Sequence, residues 1–193
     1  MAKNSYDYCI GTDKSTLKRQ LTAMLSAAGF YSSGAGSNIP GFLRTLRTAQ
    51  PWLAIIDTGL PPGNIEQLAS IIENDGLAAA IYINTSGIDM DLYVQLDWPV
   101  EAPVLTAVAE AVCNEFAHKK KLQQEIEGLQ KKLNERKDIE KAKGILVTHY
   151  KLSEEEAYIM LRNSSMKQRI SMAEMSSRII SDPGSLSFSA PPR

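Results

Sequence analysis

The sequence is poor in the residues that build reactive centres. It holds two cysteines, far apart, and two histidines in 193 residues, with no metal-ligand spacing among them. No Gly-rich phosphate loop and no adjacent nucleophile and base occur, so an enzyme is the least favoured reading. Apolar runs long enough to span a membrane are missing as well. The start, M-A-K-N-S-Y-D-Y, lacks the apolar segment of a signal peptide. These absences lead us to expect a cytoplasmic protein with no membrane association. Cys9 and Cys113 each sit among apolar neighbours and are expected to pack as small buried hydrophobes, not to form a disulfide.

Net charge is also nearly missing, at −1. That value hides an asymmetry. Residues 1–116 carry 6 Lys+Arg against 12 Asp+Glu, whereas 117–193 carry 15 against 10. A basic rear half is where a polyanion would be met, although the same charges would also keep a long helix solvated.

What is present in front is alternation. Tyr6–Gly11, Leu53–Asp57 and Ala79–Asn84 are short apolar runs closed by Gly or polar residues. Between and after them, Ser15–Gly29 and Ile65–Ile72 show helical spacing, the former through Leu17, Leu21, Met24 and Leu25. Strands buried on both faces and alternating with helices predict a doubly wound parallel sheet of the flavodoxin-like kind. Chemistry in such sheets gathers at the carboxyl ends of the strands, an edge that would hold Thr12, Asp13, Asp57, Thr85 and Trp98.

The stretch L-A-I-I-D-T-G-L-P-P-G-N resembles the phosphoacceptor strand and loop of bacterial response-regulator receiver domains. The resemblance puts Asp57 in the phosphoacceptor place and Thr85 in that of the hydroxyl residue that contacts the phosphoryl group. Thr12-Asp13 falls where the family has two acidic residues that hold Mg²⁺, and Trp98-Pro99 where it has Lys-Pro. Thr12 removes one carboxylate from a metal that prefers an all-oxygen octahedral site, and Trp98 removes a cation. Thr85 is then the one expected partner for charge at that edge. The resemblance implies a degenerate receiver with Asp57 unused; Mg²⁺ would enter only if the receiver works as a phospho-switch.

From Ala107 the pattern is uninterrupted helix up to Gly128, a turn signal. Leu122, Ile126, Leu129 and Leu133 alternate steps of four and three, the seam of a coiled coil. They predict a parallel homodimer, the other reading being an amphipathic helix packed on its own chain. The run Lys119-Lys120-Lys121 is ordinary helix solvation.

Behind the seam, Ile139, Ala142, Leu146 and Tyr150 share one helix face. Ser153–Glu156 is a capping box opening a second helix, with Ala157, Met160 and Leu161 inward. Ser171–Glu174 is expected to repeat that device before a third helix with Met172, Met175 and Ile179. The division expected is 1–116 for the receiver-like domain, 117–137 for the coiled-coil linker, 138–182 for a three-helix module and 183–193 for a Pro- and Ser-rich disordered tail.

The A-K-G-I-L of Ala142–Leu146, L-S-E-E-E-A-Y of Leu152–Tyr158, Leu161-Arg162, Met166 and Ala173 together resemble the ANTAR domain of transcription antitermination regulators. Ser165 stands where an alanine commonly precedes the methionine. The resemblance implies binding to hairpin loops in leader mRNA that keeps a terminator from forming. Tyr158 and Arg162, spaced i, i+4, share a face off the core stripe. An aromatic beside a guanidinium suits a splayed RNA base, while Lys143, Lys167 and Arg169 suit phosphates. Tyr158 packing within the module is the equal alternative. A sensor or sequestering protein would be the controlling partner. The rival classes are a DNA-binding response regulator, against which Ser171–Ile180 offers few polar base readers, and an adaptor with no RNA contact.

Overall fold

The computed structural model describes residues 6–182; the tail expected to be disordered, 183–193, lies outside the described residues. The chain divides into two compact units, 1–121 and 122–193.

In the first unit, β1 (Asp7–Gly11), β2 (Tyr31–Gly36), β3 (Leu53–Asp57), β4 (Ala79–Asn84) and β5 (Gln95–Asp97) form one parallel sheet in the order β2-β1-β3-β4-β5. Helices α1 (Ser15–Ala27), α2 (Ile39–Ala49) and α3 (Ile65–Asn74) connect its first four strands. Side chains alternate across the pleat, so each strand feeds two cores. Tyr8, Ile10, Leu53, Ile55, Ile81 and Ile83 face α1 and the front of α4 (Ala102–Tyr150), meeting Leu17, Leu21, Leu25, Leu105, Ala109 and Cys113. Cys9, Ala54, Ile56 and Tyr82 face the other way, onto Phe42, Leu46, Leu68 and Ile72 of α2 and α3. Each fully buried Leu or Ile contributes about 1.5–3 kcal/mol.

Gly36 is required by packing. A Cβ there would lie 2.5 Å from the Phe42 backbone, so only glycine lets α2 settle against β2. Both cysteines are buried and free. Burial is the main cause that pushes the Cys9 thiol up to about 11 and the Cys113 thiol up to about 12.

The last crossover departs from the repeating pattern. Residues 85–94 join β4 to β5 without a helix, in a connection shorter than parallel strands usually need. Met90 is buried and Tyr93 packs on Tyr82, with centroids 5.4 Å apart.

The helix expected from Ala107 begins at Ala102 and runs without interruption to Tyr150. Gly128 therefore marks no turn; it lies exposed inside the helix. In the second unit, the rear of α4 joins α5 (Glu154–Gln168) and α6 (Met172–Ser181). Ala142, Leu146, Ala157, Leu161, Met175 and Ile179 form the core, with Met160, Met172 and Tyr150 packed against it. The capping box at Ser153 is complete, Glu156 accepting from the Ser153 amide at 2.8 Å. The one expected at Ser171 is only half made. Its hydroxyl accepts from the Glu174 amide at 3.1 Å, but the Glu174 carboxylate accepts from Arg178 at 2.8 Å instead of reaching back.

Candidate functional site

Two places in the chain gather chemistry. The first is the carboxyl edge of the sheet. Asp57 ends β3 with 1% of its surface exposed, enclosed by donors. Its Oδ2 accepts from the Thr12 hydroxyl at 2.8 Å, and its Oδ1 accepts from the Gly59 amide at 2.9 Å and from the Thr85 hydroxyl. The Lys14 ammonium completes the set, 3.1 Å from Oδ2 and 3.3 Å from Oδ1, and it also donates to the Thr85 hydroxyl at 2.5 Å. Burial pushes the Asp57 carboxyl up. The bonds from Thr85, Gly59, Thr12 and Lys14 together outweigh it, and the carboxyl is held below its ordinary value of 3.8.

Thr12 and Thr85, both singled out from the sequence, lie against this carboxylate, whereas the cation beside it was not expected. Thr85 is not the sole partner, because Lys14 reaches in from the N-cap of α1. A signal for it existed. Lys14 precedes a helix whose first turn contains no acidic residue, and a cation at the positive end of a helix dipole needs another reason to be there. Asp13, by contrast, is exposed and takes no part in the bonds around Asp57. Trp98 is half-buried and packs with Leu96 and Val100 on the first core.

The Mg²⁺ that a receiver-type site implies does not fit these residues. Oxygen ligands are what that ion requires; here a hydroxyl replaces one carboxylate at Thr12, Asp13 is exposed and outside the bonds around Asp57, and an ammonium already sits on Asp57.

The second place is the outer face of α5. Ala157 and Leu161 are fully buried, and the positions beside them turn outward. Tyr158, Arg162 and Met166 follow at i, i+4 and i+8, making one exposed stripe with Ile159 alongside. Tyr158 and Arg162 are residues already singled out from the sequence. Met166 stood there only as a motif match, although that side chain is 65% exposed. Lys167 and Arg169 are exposed at the end of α5, Arg169 being its C-cap with a left-handed φ of 55°. Lys143 differs from them. Its ammonium donates to Glu140 at 2.9 Å and lies 3.9 Å from Glu154, and the bond to Glu140 is the main cause that raises its pKa. On α4, Leu122, Ile126, Leu129 and Leu133 are all exposed in the single chain.

Comparison with known families decides the rear segment, since residues 127–180 match the ANTAR domain model. The chain thus carries an ANTAR domain behind a front domain of receiver fold. It is 22% identical over 179 residues to the transcriptional regulatory protein PdtaR of Mycobacterium tuberculosis, covering 89% of this chain and 87% of that one. Its front fold is that of a signal receiver domain from Vibrio parahaemolyticus, with a TM-score of 0.53 at 16% identity, covering 61% of this chain and 97% of that one. The anti-anti-sigma factor PhyR from Bartonella quintana is similar at a TM-score of 0.51 and 14% identity, over 64% of this chain; this chain spans 53% of that longer protein. Among the described residues, no helix is long and apolar enough to cross a membrane.

Proposed function

We propose that this ANTAR-domain regulator binds hairpin loops in a leader transcript and so prevents a terminator from forming. The observation that carries the reading is the outward stripe of Tyr158, Arg162 and Met166 on α5. An exposed ring offers a stacking surface for a splayed base, and the guanidinium beside it offers edge hydrogen bonds. Lys167 and Arg169, exposed at the end of α5, add cations suited to the phosphate backbone, where they supply affinity and not sequence choice. Lys143 joins them only by giving up its carboxylate partners.

The module is small enough to hold one hairpin. Pairing of two chains through Leu122, Ile126, Leu129 and Leu133 brings two modules to one transcript, and the second hairpin then binds at high effective concentration. An apolar seam exposed along a single helix supports this pairing. The receiver-fold domain governs presentation of the modules, in the cytoplasm, under a sensor or sequestering protein.

A gel shift of the full chain with its own leader RNA and with its promoter DNA tests the reading. Retention of leader RNA that is lost on scrambling the loops is expected. Retention of promoter DNA alone would move the chain to the DNA-binding class, and binding of neither would make it a protein adaptor.

A further inference from the structure

We propose that Lys14 takes the place of a divalent cation at the Asp57 pocket, so that the chain neutralises its own carboxylate and the pocket works without metal. The ammonium straddles both carboxylate oxygens, at 3.1 and 3.3 Å, as a shared counter-ion would. Thr12 adds a hydrogen bond where a second acid would add charge. The pocket therefore closes at one negative and one positive charge, with Asp13 outside it. A divalent ion entering here would meet a like charge already in contact with the Asp57 carboxylate.

The wall of the pocket is shaped to this ammonium. A Cβ on Gly59 would stand 3.1 Å from Lys14 Nζ and 3.4 Å from Asp57 Oδ1, so the bare backbone at that position leaves room for the lysine. Nothing in α1 accounts for the lysine itself, since its side chain makes no capping bond there. The consequence reaches the neighbouring loop. Lys14 and Asp57 both bind the Thr85 hydroxyl, and Thr58 joins its own hydroxyl to that of Ser86 at 2.8 Å. The hydroxyl that would meet a phosphoryl group is thus held on the acceptor, donating to Asp57 and accepting from the lysine. This inference holds whatever the rear module binds.

The decisive comparison titrates the full chain with Mn²⁺ and follows the free ion by electron paramagnetic resonance. Wild type is expected to show no saturable site that Asp57→Asn abolishes. Thr12→Asp, which restores the second carboxylate, is expected to remain without one while Lys14 is in place. The double variant Thr12→Asp/Lys14→Ala should gain one saturable site, lost again on adding Asp57→Asn. Equal Mn²⁺ binding by Thr12→Asp and the double variant would overturn the proposal, as would a folded double variant that binds none. An independent reading uses Lys14→Met in the native background. Amide exchange at residues 85–87 should quicken at least tenfold relative to wild type, and unchanged exchange there would also overturn it.

Discussion

Lys143 donates a 2.9 Å hydrogen bond to Glu140, one turn earlier on the same helix, and its largely buried side chain is thus already paired. A phosphate contact by Lys143 must displace that carboxylate. Lys143→Ala is therefore expected to weaken binding to cognate and scrambled hairpins alike, with a shallower salt slope. Glu140→Gln should strengthen both several-fold by releasing the cation. Filter binding across a salt series reads both effects; a Glu140→Gln chain that binds more weakly would show the pair to be structural only.

Arg162→Ala is expected to act on choice instead of on general affinity. Loss of a base contact costs about 1–3 kcal/mol at the matching position. The ratio of affinities for cognate and scrambled loops should fall, while the salt slope stays as it was. A uniform loss across both RNAs would assign Arg162 to the phosphates.

Arg169 separates charge from fold. Its φ of 55° lies in the left-handed region, which favours glycine. Arg169→Gly should leave the melting temperature of the rear module unchanged or slightly higher, while lowering RNA affinity. The two quantities are read by circular dichroism and by gel shift on one preparation.

Polar replacement of Leu129 and Leu133 should yield a monomer by light scattering. Affinity for a two-hairpin RNA should drop far more than for a single hairpin, because only the former uses effective concentration. A variant that stays dimeric would place the dimer contact outside the seam.

Asp57 contributes stability with a definite pH sign. Its carboxyl is held below 3.8 in the folded chain. The stabilisation is thus complete above that value and disappears as pH falls through the lower folded-state pKa. Asp57→Asn should cost about 1–2 kcal/mol at neutral pH, a modest figure because Lys14 is half-exposed and water screens the pair. Urea melts should show that gap shrinking in acid. Small phosphodonors with Mg²⁺ should give little phosphoprotein by mass spectrometry, since Asp57 presents almost no exposed oxygen.

How far this was legible in sequence depended on the distance over which each feature is encoded. Leu53–Asp57 and Ala79–Asn84 are continuous apolar runs and form β3 and β4 at those bounds. The edge strand β2, Y-S-S-G-A-G, and the three-residue β5 carry almost no apolar signal and were not seen. Nor was α2, whose early Pro and Gly suggest a turn although Pro is well tolerated in a first turn. The Ser153 capping box is local and was readable; the missing half at Ser171 depended on a competing arginine one turn ahead. Lys14 stayed hidden because 43 residues separate it from Asp57, and only the adjacency of β1 and β3 brings them together.

The connection from β4 to β5 has its own consequence. With no helix of its own, the stretch is held by a few side chains, among them buried Met90, Tyr93 on Tyr82, and Gln95. Gln95 accepts from the Met90 amide at 2.8 Å and donates to the Ile88 carbonyl at 2.9 Å, while Leu92 at the tip is 91% exposed. A segment held by so few contacts can let go while the hydrogen-bonded sheet beside it stays intact. The receiver-fold domain therefore has its weakest seam a few residues beyond Thr85, where limited proteolysis should make its first cut.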